Sequence, residues 1–164
     1  MNEEILIERT VKVLEDNLNS ALTEVWGEVA ANYTKLGVDK TLIDAPVISA
    51  GSYHRWSLED RAATSDFKII VNSGLTPSDS TNVGTPLRQY DLSIEIIWTY
   101  GQQESDRYSV PARVREGVLR TIEKFKRDIV GTNKIWVADA MMGADNPGEG
   151  NRESAAGVLY NIIA

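Results

Sequence analysis

The chain reads as an α+β protein, a mainly antiparallel sheet of about five strands with two helices packed on one face. Three observations predict this. In residues 90–101, YDLSIEIIWTYG, the residues Leu92, Ile94, Ile96, Trp98 and Tyr100 take every second position. Asp91, Ser93, Glu95 and Thr99 lie between them, with Ile97 the one apolar exception. That period of two marks a strand with one buried face. Two other segments repeat apolar residues every three or four positions, which marks helices with one buried stripe. The resulting order, α, β, β, β, α, β, β, sets two helices beside one sheet in two layers.

The first helix is predicted over roughly residues 3–30. Ile7, Val11, Leu14, Leu18, Leu22, Val25 and Val29 form its stripe, Ala21 and Trp26 widen it, and Gly27 ends or bends it. KLGVDKTLIDAP is a connection. VISAGSYHRW is a weak strand with Gly51 inside it, and FKIIVNSG, residues 67–74, is a β-branched strand stopped by Asn72, Ser73 and Gly74. LTPSDSTNVGTPL then forms a long polar arm, near 75–88, before the alternating strand. Loops longer than about 12 residues in a compact domain are functional or disordered, so Leu75 and Val83 become candidate interface positions.

After the link GQQESDRYS, Ser109 is the expected N-cap of the second helix, with Pro111 in its first turn and Gly131 as its stop. Val110, Val114, Val118, Ile122, Phe125 and Ile129 run down one side of this helix; Arg113, Arg120, Lys124 and Arg127 run down another. Glu116 precedes Arg120 by four and Glu123 precedes Arg127 by four, an order that supports the helix. NKIWVADAMM is a fourth strand, a polar loop covers about 143–155, and GVLYNIIA closes the chain with Val158, Tyr160 and Ile162 on one face. The whole of 1–164 is expected to be one domain, long enough to bury a sizeable core.

Composition excludes several function classes. Apolar and charged fractions of 42% and 25% are those of an ordinary soluble globular protein. No apolar run approaches the roughly 20 residues of a membrane helix. The acidic, amphipathic start MNEEILIERTVK lacks the pattern of a secretory signal, so the chain is expected to stay in the cytoplasm of the cell that makes it. With no cysteine, disulfides, thiol nucleophiles and cysteine-zinc sites are excluded, and His54 is the only histidine.

The net charge of −7 argues against a duplex-binding domain. Residues 107–127 nevertheless hold seven Arg/Lys and two Glu, a net of +5, which leaves −12 for the remainder. Such asymmetry suits self-association or a complementary partner; a solvated helix face produces the same pattern.

Catalytic motifs are missing. There is no phosphate-binding glycine loop and no nucleophile elbow. Ser52, His54 and Asp60 invite a triad reading, with Ser52 and His54 on one strand face, but nothing specifies an oxyanion hole. Asp145–Gly150 resembles a calcium loop only faintly: Pro147 falls on the third position and Ala156 on the twelfth, where a bidentate Glu is needed. Trp98 and Trp136 suit a core or its rim; Trp56 suits the core or a partner anchor. No cofactor and no metal are implied.

The run QYDLSIEIIWTYGQQESDRYSVPARVREGVLRTIEKF, followed by a strand, a polar loop and GVLYNIIA, resembles the tail terminator (tail completion) proteins of tailed bacteriophages. The N-terminal helix fits that layout, and the resemblance is sharpest over residues 89–164. It implies a structural virion protein of the tail or neck, assembled in the host cytoplasm, and not an enzyme. It implies a homo-hexameric ring that caps the tail tube protein, stops its polymerisation and meets a neck or head-completion protein. DNA then passes through the ring without sequence-specific binding. Another neck component, such as a head-completion or joining protein, is the alternative within the class. A nucleic-acid-binding module using Arg113, Arg120, Lys124 and Arg127 is the alternative outside it. In a ring, those four residues are expected at a subunit or neck-protein boundary.

Overall fold

The first helix starts at a side-chain cap. The Asn2 carboxamide oxygen accepts a hydrogen bond from the Ile5 amide at 2.9 Å, and Glu3 and Glu4 set negative charge at the positive end of the helix dipole. In the computed structural model, which describes residues 2–56, 67–76, 89–100, 106–131, 135–141, 145–146 and 153–163, this helix, α1, spans Glu3–Lys35. It therefore runs past the expected limit near residue 30. One interior glycine costs a helix only about 1 kcal/mol, and Gly27 does not stop it. The stop lies at Gly37, whose φ of 67° is the left-handed conformation that glycine adopts without strain. There the Val38 amide donates to the Tyr33 carbonyl and the Gly37 amide to the Thr34 carbonyl, which is a Schellman motif.

The chain then turns back along α1, held by side chains of that helix. Indole Nε1 of Trp26 donates to the Ile43 carbonyl at 2.9 Å. Asn19 acts as a two-way clamp on Ile48: its Nδ2 donates to the carbonyl at 3.0 Å, and its Oδ1 accepts from the amide at 2.8 Å. Ile48 is buried as a result. A 3₁₀ turn over Ala50–Ser52 leads into a short strand, β1, Tyr53–Arg55.

Four further strands complete the sheet: β2 (Phe67–Thr76), β3 (Gln89–Thr99), β4 (Ile135–Met141) and β6 (Glu153–Ile163), with the two-residue β5 (Asp145–Asn146) paired to β6. Their order is β1-β2-β3-β6-β4. The α+β class holds, but the sheet is mixed, because β1 lies parallel to β2 while the other pairs are antiparallel. Parallel pairing is a tertiary choice that a period of two does not encode. Two boundaries also move. Asn72, Ser73 and Gly74 do not stop β2, since each residue through Thr76 finds a partner in β3. Part of the expected polar loop near 143–155 belongs to β5 and to the start of β6. In the arm near 75–88, Leu75 and Thr76 are in β2, and Val83 lies outside the described residues.

One face of β3 carries Tyr90, Leu92, Ile94, Ile96 and Trp98, all buried, and its neighbours match it across the ladder. Phe67, Ile69 and Val71 of β2 stand opposite Trp98, Ile96 and Ile94; on the other side Val158, Tyr160 and Ile162 of β6 stand opposite Ile94, Leu92 and Tyr90. The Phe67 and Trp98 rings stack with centroids 5.9 Å apart.

The second helix, α2, spans Ser109–Val130. Ser109 is its first helical residue and not its cap, because Tyr108 already has helical φ and ψ. The Ser109 hydroxyl lies 3.3 Å from both the carbonyl and the carboxylate of Asp106. Gly131, with φ of 85°, ends the helix, and the backbone kinks at Phe125, where φ is −110° and ψ is 18°. The two helices lie antiparallel: Arg9 approaches Ile129 at one end, and Trp26 meets Arg113 at the other. Gly117 permits this closeness, since a Cβ there would fall 2.6 Å from Cδ2 of Leu22. The stripes of both helices and the apolar face of β3 form one core.

Because Ile94 and Leu14 are both fully buried in that core, Ile94→Ala and Leu14→Ala are each expected to cost about 2–5 kcal/mol. Chemical denaturation measures this as a fall in midpoint. Unchanged midpoints in both variants would break the assignment of strand and helix to one core.

Candidate interface

The four basic residues singled out on α2 share a row but not an environment. Arg113 departs from the expected outward row. It is only 7% exposed, its guanidinium lies 5.4 Å from the Trp26 ring centre, and its Nη1 has no hydrogen-bond partner. A planar cation over an indole face is held by the ring quadrupole as well as by packing. Trp26 reaches this position because its own N–H is fixed by Ile43.

Arg120 is a bridge inside the subunit. Its Nη1 and Nη2 donate to the two Glu28 oxygens at 2.8 and 2.7 Å, and its Nε donates to Glu116 at 2.8 Å. The first contact is a two-pronged guanidinium–carboxylate pair that ties α1 to α2. The second is the i,i+4 pair that spacing predicts. These partners hold the Arg120 guanidinium more firmly protonated, Glu28 first and Glu116 second. The same hydrogen bonds from Arg120 lower the pKa of the Glu28 carboxyl.

Lys124 and Arg127 are the exposed members of the row. The Lys124 ammonium lies 5.5 Å from the Phe125 ring centre. An open groove between α1 and α2 runs past Phe125, lined on one side by Val13, Asn17 and Asp16 and on the other by Asp128. Of the arm positions, Leu75 pairs with Tyr90 in the ladder, and Val83 lies outside the described residues. The structure thus brings the α2 residues together along one helix.

Sequence reasoning placed Trp26 only in the apolar stripe and passed over Glu28; both are on α1. Their partners are distant in the chain, so no spacing rule points to them.

Other candidates find ordinary places. Ser52 sits in the 3₁₀ turn and not on a strand face with His54, and its hydroxyl lies 3.3 Å from that of Ser49. Asp60 falls outside the described residues. His54 is in β1 with its Nε2 buried and unpartnered. Asp145 lies in β5. Burial pushes the Tyr53 phenol up, with Glu15 adding to the shift. Trp98 is buried in the core. Trp56 is exposed, with φ of 64°, at the end of β1. Among the described residues there is no cluster of potential metal ligands and no helix long and apolar enough to cross a membrane.

No protein-family model matches the chain, and no curated protein matches it.

The Arg120–Glu28 bridge has a testable pH signature. Because the folded pKa of Glu28 is lowered, its contribution is fully present above the unfolded value of about 4.3 and is lost as pH falls through the folded value. Glu28→Gln is therefore expected to be less stable than wild type at pH 7, with the gap closing at acid pH. Thermal melts of both proteins from neutral to acid pH check this; a gap that does not change with pH would show that the charge of Glu28 is not its cause.

Proposed function

We propose that the chain is a structural virion subunit of a tailed phage, a tail terminator that forms a ring on the tail tube and joins it to the neck or head. The observation that carries this reading is the run from β3 through α2 to β6, whose alternating strand, acidic link, striped helix and closing strand resemble those proteins. The sheet, with both helices packed on its apolar face, is then a scaffold and not an active site.

Charge supports the reading. A closed ring built from head-to-tail contacts needs two different surfaces on each subunit. Positive charge gathered on α2, in a chain of net charge −7, supplies a means of telling them apart. A net acidic ring is also a poor trap for DNA, which suits a conduit. β1 and β4 are the outermost strands of the order, and an edge strand is a natural place for a neighbour to add. The residues 77–88 of the arm are assigned to contact with the tube or a neighbouring subunit.

The within-class alternative is another neck component. A nucleic-acid module on the α2 row is disfavoured by the burial of Arg113 and the pairing of Arg120.

Sedimentation of the chain alone and with tail tube protein tests the proposal. A six-subunit species, formed alone or induced by tubes, is the expected result. A monomer unaffected by tubes, with DNA affinity that falls steeply with salt, would overturn it.

A further inference from the structure

A buried cation is tolerated when it is paired or when it can lose its charge. Arginine has only the first course, because its guanidinium stays protonated in proteins. Arg113 on α2 is 7% exposed, yet it makes no ion pair among the described residues, and its Nη1 is sealed from solvent without a hydrogen-bond partner. The Trp26 ring, 5.4 Å from the guanidinium, offsets part of the cost of burying it. The ring accepts nothing from Nη1, and it does not neutralise the charge.

The carboxylates of the neighbourhood are held elsewhere. Glu116, three residues on, and Glu28, on α1, both bind Arg120. Glu24 lines a groove beside Arg120 and Lys124. Asp106 is buried, lies 3.7 Å from the Lys40 ammonium and meets the Ser109 hydroxyl. Asp39 and Asp44, on the connection that Trp26 holds at Ile43, are exposed and make no ion pair among the described residues. A buried water would give Nη1 an acceptor but would leave the charge unmatched. The helix end adds to the imbalance. Helical side chains lean toward the N-terminus, so Arg113 reaches back over the first turn of α2, which has no acidic residue and no side-chain cap.

We propose that the place between Trp26 and the first turn of α2 is a binding site for a small carboxylate anion from solution, held by the Arg113 guanidinium. A planar carboxylate meets the edge of a guanidinium with parallel hydrogen bonds. So little of Arg113 is open that a protein surface or a nucleic-acid strand would meet the exposed Lys124 and Arg127 first. Entry to Nη1 needs a local opening, and the segment that Trp26 holds has no regular structure from Val38 to Ser49 to resist one. Such a site does not depend on the ring proposed above.

Thermal melts in sodium formate and in sodium chloride of equal ionic strength test this, with formate as the probe. The wild type is expected to melt higher in formate, by an increment that grows with formate concentration. The Trp26 indole N–H signal in nuclear magnetic resonance, identified by its loss in Trp26→Phe, should shift along a saturable curve. Arg113→Met keeps an apolar stem and removes the charge. In chloride it should melt no lower than wild type, and it should lose the gain from formate. General salt effects act on both proteins and cancel in the comparison. Equal gains in wild type and Arg113→Met, or a Trp26 signal that does not move, would overturn the site. So would an Arg113→Met chain that melts well below wild type in chloride or fails to fold, since the guanidinium would then already be satisfied inside the subunit. None of these readouts requires assembly, so their failure leaves the ring untouched.

Discussion

The apolar face of β3 is the constraint that the rest of the structure satisfies. Tyr90, Leu92, Ile94, Ile96 and Trp98 line one side of the central strand of a sheet whose order runs from β1 to β4 without closing, so the face is not hidden inside a barrel. It must be covered by another layer. One helix is too narrow for a sheet this wide, and two must lie side by side. Gly117 sets how closely they do so, by letting Leu18 and Leu22 of α1 reach the backbone of α2. The buried hydroxyls of Thr10 and Thr121 are tolerated in this contact because each donates to the carbonyl four residues before it.

Much of this was legible because it is local. A period of two named β3, spacing of three and four named both stripes, and Gly131 marked the end of α2. What was not legible depends on residues far apart in the chain. Nothing in Tyr53–Arg55 announces a parallel partner. Asn19 looks like a polar interruption of a helix until its amide is seen gripping both backbone groups of Ile48. Arg113 looked like one of four equivalent cations, yet the Trp26 ring gives it a place in the core edge that spacing cannot reveal. Glycine misled in one place and guided in another: Gly27 is passed over, while Gly37 and Gly131, at positive φ, are true ends.

The same distinction governs function. The helix row divides into a buried Arg113, a bridging Arg120 and the exposed pair Lys124 and Arg127. Only the last two are disposed to meet a partner. Arg120 links α1 to α2 through Glu28, beside the exposed pair. In this account the fold presents surfaces and holds them rigid, which is what a ring subunit needs.

The central claim is that both helices and β3 form one cooperative unit. Native-state hydrogen exchange of the backbone amides tests it most directly, because each amide reports the free energy of the opening that exposes it. The account predicts that amides at Leu14 in α1, Ile94 in β3 and Val118 in α2 exchange only through the same global opening, with equal free energies and equal sensitivity to denaturant. An α1 that exchanges through a much smaller opening while β3 stays protected would contradict it, since the apolar face of β3 would then not depend on that helix for its cover.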